Sequence, residues 1–181
     1  MEIPTEYTRR LVLRGFVPDD RDFLHTILGT PGVLQYFPRS EPWPLDMVQK
    51  WMDSQQRHWD EHGFGWFAVE YRETSYLLGW CGLRVLDETE EIEVLYLLDK
   101  AHWGKGLATE AARWCVEDGF RNYGLDFVIG LTHLENIASQ KVLEKAGLVF
   151  RNQASYFGIE CRRYVIDRVR FQEFYVDPSA G

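Results

Sequence analysis

Between Tyr96 and Ala112 the chain reads YLLDKAHWGKGLATEAA: a strand runs through a short loop carrying Gly104, Lys105 and Gly106 straight into a helix. Glycine adopts backbone conformations that side chains exclude, so such a loop lets main-chain N–H groups crowd around one point. The first turn of the helix adds amides without intrahelical partners and a partial positive charge. This arrangement suits an anion such as a pyrophosphate, and Lys105 adds a charge-assisted contact. A tight strand-to-helix turn with no ligand accounts for the two glycines equally well. No GxxxxGK[ST] occurs, and no GxGxxG sits in a parallel βαβ unit, which disfavours a P-loop hydrolase and a dinucleotide-binding domain.

The flanking segments alternate between strand and helix periods. Residues 9–14 predict an opening strand, and Pro18-Asp19-Asp20 starts a helix with Phe23, Leu24, Ile27 and Leu28 on one apolar face. A second helix is predicted from Asp46 to about His62, closed by Gly63. Strands are predicted at 65–71, 77–86 and 91–98, a helix over about 106–122, a buried strand at 126–132 and a helix at 136–146. Two further strands are predicted near 152–157 and 161–168. Ile92, Val94, Tyr96 and Leu98 share one face of their strand, and Glu93, Leu95 and Leu97 the other. The order implies a mixed α/β (α+β) fold with a largely antiparallel sheet, in one domain over 1–181.

Composition narrows the function classes. A hydrophobic fraction of 45% with 15% aromatic residues fits a folded globule. No apolar run approaches the ~20 residues of a membrane span, and the start has no signal-peptide pattern, so a cytoplasmic protein without membrane partners is expected. Cys81, Cys115 and Cys161 are scattered and lack a CxxC, which argues against a disulfide framework or a metal site. The net charge of −8, without a basic stripe, argues against a nucleic-acid partner and favours a cationic acceptor. An anionic cofactor must then be captured by local backbone donors against the global field.

WGKGLATEA, from Trp103 to Ala111, closely resembles the acetyl-CoA-binding loop of the GNAT superfamily, especially its ribosomal-protein N-acetyltransferase (RimJ/RimL-like) branch. That loop has the form [QR]xxGx[GA], here Trp103, Gly106 and Ala108, with the branch's Trp in place of Gln or Arg. NIASQKVLEKAGLVF, from Asn136 to Phe150, resembles the branch's NxxSxxVLEKxGF, with Leu148 where its Phe is expected. TRRLVLR and LLGWCGL also look like this branch, so the resemblance covers a core of about 8–168.

The resemblance implies a GNAT fold: a central, mostly antiparallel, twisted sheet with a splayed parallel strand pair and flanking helices. It implies acetyl-CoA as cosubstrate and an N-acetyltransferase that moves an acetyl group directly to a primary amine in a ternary complex. The pantetheine arm would pair with the backbone of Tyr96, Leu97 and Leu98, and the pyrophosphate would sit on the backbone of Gly104, Lys105, Gly106, Leu107, Ala108 and Thr109. Asn136 matches an asparagine that bonds to the pantetheine arm, although it also reads as a helix N-cap. Glu93 occupies the position of a branch glutamate and is the candidate general base or ammonium anchor; the other reading is an exposed strand charge. Ser139 takes the place of a serine proposed to protonate or bond to the CoA sulfur, and Leu143 stands where many GNAT enzymes have a tyrosine. That missing tyrosine supports the alternative of a non-catalytic acyl-CoA-binding sensor or interaction module. An α-amine with pKa near ~7.8 costs only about 1 kcal/mol to deprotonate at neutral pH, whereas a lysine near ~10.4 costs about 4–5. Small α-amines and protein N-termini are the easier acceptors, and a homodimer is common in the branch.

Overall fold

In the computed structural model, which describes residues 1–176, eight strands form one sheet in the order β1-β2-β3-β4-β5-β6-β8-β7. β1 (Glu6–Tyr7), β2 (Leu11–Arg14), α1 (Asp20–Gly29) and α2 (Leu45–His62) precede β3 (Trp66–Tyr71), β4 (Tyr76–Val85) and β5 (Ile92–Leu98). After a 3-10 turn at Lys100–His102 come α3 (Leu107–Arg121), β6 (Phe127–His133), α4 (Ile137–Lys145), β7 (Val149–Tyr156), β8 (Ile159–Asp167) and α5 (Arg168–Phe171). Every neighbouring pair is antiparallel except β5 and β6, which run parallel and share one registered pair, Glu93 with Ile129.

The period-two pattern sorts the core. Val94 and Leu98 of β5, with Leu78 and Cys81 of β4, pack against Leu107, Ala111, Cys115 and Val116 of α3. Leu97, Trp66 and Trp80 pack on the opposite face against Leu24, Ile27 and Leu28 of α1 and Val48 and Met52 of α2. Each sheet face therefore has its own helical cover, and the β5–β6 pair, registered only at Glu93 and Ile129, lies between the two layers. Burial of these apolar side chains is worth about 1.5–3 kcal/mol each. Within α1, Phe23 departs from the expected apolar face and is 54% exposed. Asp20 is buried instead, because Arg14 holds its carboxylate through two bonds at 2.7 and 2.8 Å.

Two short elements escape the sequence pattern. β1 has two residues, too few to show a period, and exists through its pairing with β2. α5 continues into a π-helical turn at Gln172–Val176, where the sequence predicts no helix. Its Phe171 stacks on Phe120 of α3 with ring centroids 4.5 Å apart, a tertiary contact that local periodicity does not encode.

His58 ties α2 to the sheet in one protonation state. Its Nδ1 faces the Phe64 carbonyl at 2.9 Å, and its Nε2 accepts the Val85 N–H at 3.2 Å. An acceptor nitrogen must be unprotonated, so the fold selects neutral imidazole with the proton on Nδ1. Burial, the largest influence, lowers the His58 pKa below its ordinary 6.5. A folded pKa below the unfolded one means stability fully present above about 6.5 and lost as pH falls toward the folded value. Urea midpoints of the wild type are expected to fall between pH 6.5 and 5 more steeply than those of His58→Phe. The variant itself loses about 1–2 kcal/mol at neutral pH, because the Val85 N–H is left unpaired.

Candidate active site

The loop between β5 and α3 is held open by bonds at its two ends. Trp103 donates its indole N–H to the Leu98 carbonyl at 2.7 Å, and Asp99 accepts from the Ala101 amide at 3.2 Å. Gly104 and Gly106 have φ of 75° and 76°, a left-handed region that strains residues with a Cβ. Arg10 anchors the far side, donating to the Lys105 carbonyl at 2.8 Å and to Glu110 at 2.7 Å. As a result the backbone amides of residues 104–109 donate to no protein acceptor among the described residues. Gly104, Lys105 and Gly106 are exposed, so these donors face solvent at the N-terminus of a 15-residue helix. Glu110 would oppose an anion here. Although burial raises its pKa, bonds from Thr8 and Arg10 hold it below the usual carboxylate range, with its charge directed at Arg10.

Beyond the Glu93–Ile129 pair, the β6-facing edge of β5 has no strand partner. Tyr96, Leu97 and Leu98, expected to line the cofactor arm, occupy that unpaired stretch while remaining fully registered with β4 on their other side. Asn136 caps α4, with its side-chain oxygen accepting the Ser139 amide at 3.1 Å. Its side-chain amide group donates to nothing among the described residues, so capping and ligand contact are compatible. Ser139 meets Tyr96: the two hydroxyls lie 2.8 Å apart, and the phenol also donates to the Ser139 carbonyl at 3.1 Å. Burial pushes the Tyr96 phenol above its ordinary range, so it keeps its proton at neutral pH. The sequence reading used only the main chain of Tyr96. The face Tyr96 shares with Ile92, Val94 and Leu98 follows from alternation, but its meeting with Ser139, 43 residues away, does not. Leu143, seven residues after Asn136, is 1% exposed and belongs to the core.

Glu93 lies on the other face of β5, away from Ser139. It is 2% exposed, which removes the reading as a solvated strand charge. β4 and β5 pair without a bulge, so Glu93 keeps the face it shares with Leu95 and Leu97 and sits opposite Arg84. The Arg84 Nε donates to its carboxylate at 2.9 Å. Burial outweighs this cation and holds the Glu93 pKa above the usual range. Arg84, which the sequence reading did not single out, has its guanidinium carbon 5.2 Å from the Trp66 ring centroid and 5.3 Å from that of Phe157. Trp43, Trp51, Trp66 and Trp80 form an aromatic cluster on this face of the sheet. Trp51 touches Trp43, Trp66 and Trp80, with centroids 6.0, 5.7 and 4.5 Å away. Trp59 is separate, buried in the α3-side core with its N–H on the Trp66 carbonyl. His133 stacks on Tyr36 at 5.3 Å, and its Nδ1 accepts the Glu135 amide, which fits a structural role at the end of β6. A cleft of about 760 Å³ lined by Arg14, Asp20, Glu70, Tyr76 and His102 shares none of these residues, and its arginine is committed to Asp20 and Glu70.

A row of unpaired amides at a helix N-terminus, beside two parallel strands that share one registered pair, marks the chain as a mixed α/β protein with an anion-suited loop next to its parallel strands. The chain belongs to the acetyltransferase (GNAT) domain family, whose model matches residues 10–149. It is 32% identical over 154 residues to the uncharacterized N-acetyltransferase p20 of Bacillus licheniformis, covering 80% of this chain and 85% of that one. An acetyltransferase from Agrobacterium tumefaciens shares the fold, with TM-score 0.82 and 24% identity over 93% of this chain and 96% of that one. So does the spermidine N-acetyltransferase of Vibrio cholerae, solved with CoA and spermine, at TM-score 0.72 and 19% identity over 91% and 99% of the two chains.

Proposed function

We propose that this chain is an acetyl-CoA-dependent N-acetyltransferase of the RimJ/RimL-like branch, acting as one domain on a primary amine. The observation that carries the reading is the run of unpaired amides at 104–109, placed where β5 leaves β6. The loop amides and those of the first helical turn point at one exposed place with the helix's partial positive charge behind them, which suits an anionic ligand. The diphosphate of CoA answers that need in a protein of net charge −8. The pantetheine arm would then follow Tyr96, Leu97 and Leu98, and Asn136 would offer its free side-chain amide.

The amine nitrogen attacks the thioester carbonyl, the C–N bond forms, and the C–S bond breaks as the thiolate leaves. A thiolate departs more readily when a proton donor waits beside it. The Tyr96–Ser139 hydroxyl pair supplies that donor on one side of the cleft. Glu93, with its raised pKa, is the base or ammonium anchor on the other. Two proton-handling groups on opposite faces match a reaction that takes a proton from nitrogen and gives one to sulfur. The Tyr96 hydroxyl also weakens the main argument for a non-catalytic sensor, since a phenol stands beside Ser139 although position 143 carries leucine.

Calorimetric titration with acetyl-CoA, followed by thiol-release assays over a panel of amines, tests the reading. Micromolar binding and amine-dependent release of one thiol per acetylated amine are the expected results. Binding with no turnover of any amine would favour the sensor.

A further inference from the structure

We propose that the acetyl acceptor is a small amine carrying a carboxylate, of the free amino-acid class, with Arg84 as the residue that grips the carboxylate. The inference rests on the acetyltransferase reading above and chooses within it.

Arg84 is oriented from three directions. Glu93 takes its Nε, and the Trp66 and Phe157 rings lie against its guanidinium. Both terminal nitrogens, Nη1 and Nη2, have no acceptor among the described residues, while 29% of the side chain stays exposed. With Nε occupied, the free edge is the pair of parallel N–H groups that meets a carboxylate in bidentate fashion. Phe157 holds its side of this sandwich at a cost. Its φ of 52° is a left-handed conformation that strains an aromatic residue, in the two-residue turn between β7 and β8. Glu88 pins that turn through the Phe157 amide at 3.2 Å.

The surrounding wall repeats the same chemistry. The indole N–H groups of Trp43, Trp66 and Trp80 are buried without a partner, and Trp66 and Trp80 are only 6% and 2% exposed. Arg84, Trp66 and Trp80 therefore offer donors and no acceptors, on the face of the sheet that carries Glu93. A ligand that pairs with the free edge of Arg84 must bring oxygen acceptors. A polyamine brings donors and positive charge, so it leaves the free edge of Arg84 unpaired and faces the guanidinium with like charge. An amino acid brings a carboxylate for Arg84, an apolar side chain for the indole wall, and an α-amine that is easily deprotonated.

Thiol-release kinetics should be measured with the common amino acids beside their amides, their decarboxylated amines, and spermidine. For at least one amino acid, kcat/KM is expected to exceed that of its amide and its decarboxylated amine by about tenfold or more. Arg84→Lys keeps a cation for Glu93 but lacks the fork, and it should raise KM for the amino acid about tenfold with acetyl-CoA affinity unchanged. Phe157→Gly relieves the backbone while removing one ring, and should raise the same KM in a folded protein. A wild type that prefers the amides would overturn the proposal in favour of a peptide N-terminus. Preference for the decarboxylated amines or spermidine overturns it as well, as does turnover of none of these acceptors by a protein that binds acetyl-CoA. Absence of acetyl-CoA binding marks failure of the acetyltransferase reading itself and removes this inference with it.

Discussion

Gly106→Glu is expected to weaken acetyl-CoA binding by about 100-fold or more, equivalent to about 2.7 kcal/mol. Gly106→Ala should weaken it far less. Gly106 has a φ of 76°, so any side chain there strains the folded backbone by about 1–3 kcal/mol, and the alanine variant, which shares that strain without the charge, is the control. Space is not the obstacle: a Cβ at this position meets only the Arg10 guanidinium, at 3.5 Å. The added effect of glutamate is its charge, placed among the amides of 104–109 at the positive end of α3. Paired calorimetric titrations, with circular dichroism to show that both variants fold, make the comparison. Equal affinities of the two variants would mean that the pyrophosphate lies elsewhere. Lys105→Ala removes one exposed cation and should cost less than the glutamate, because the main chain supplies most of the donors.

The difference between legible and illegible features lies in their range along the chain. The Gly104–Gly106 loop, its helix and the strand before it are local, and the structure has them within a residue or two of expectation. The parallel pair that splays apart came through resemblance, since no periodicity tells which strand β5 will leave. Glu93 was assigned to the correct face by alternation, but its fate depended on what stood opposite. The β4–β5 register puts Arg84 there, converting a charge readable as solvated into a buried ion pair. Tyr96 shows the same limit. Its place on the face with Val94 and Leu98 follows from period two, whereas its hydroxyl contact requires knowing that the start of α4 returns to β5. Phe157 had no signal at all, because an aromatic residue in a left-handed turn runs against local preference. It is tolerated where tertiary contacts, here the Glu88 bond and the Arg84 stack, hold it.

Tyr96→Phe should lower kcat by about 10²–10³-fold with little change in the KM for acetyl-CoA. The substitution removes one oxygen and keeps the ring that packs beside Val94 and Leu98, so the stability loss is that of a hydrogen bond, about 1 kcal/mol. If the phenol protonates the departing thiolate, directly or through Ser139, the missing proton slows bond cleavage without touching the diphosphate cradle. Ser139→Ala should lower kcat in the same direction, and the double variant should be little worse than the worse single one, as expected for groups acting as a unit. The pH profile separates this role from a structural one. Burial raises the Tyr96 pKa above the phenol's usual 10, so the wild-type rate should hold at alkaline pH as long as the phenol keeps its proton. At acid pH the rate should fall as the acceptor amine takes up a proton, in wild type and variant alike. A Tyr96→Phe enzyme that keeps more than about half of the wild-type kcat would show that the thiolate leaves without help from this pair, within the range where removal of a general acid is normally felt.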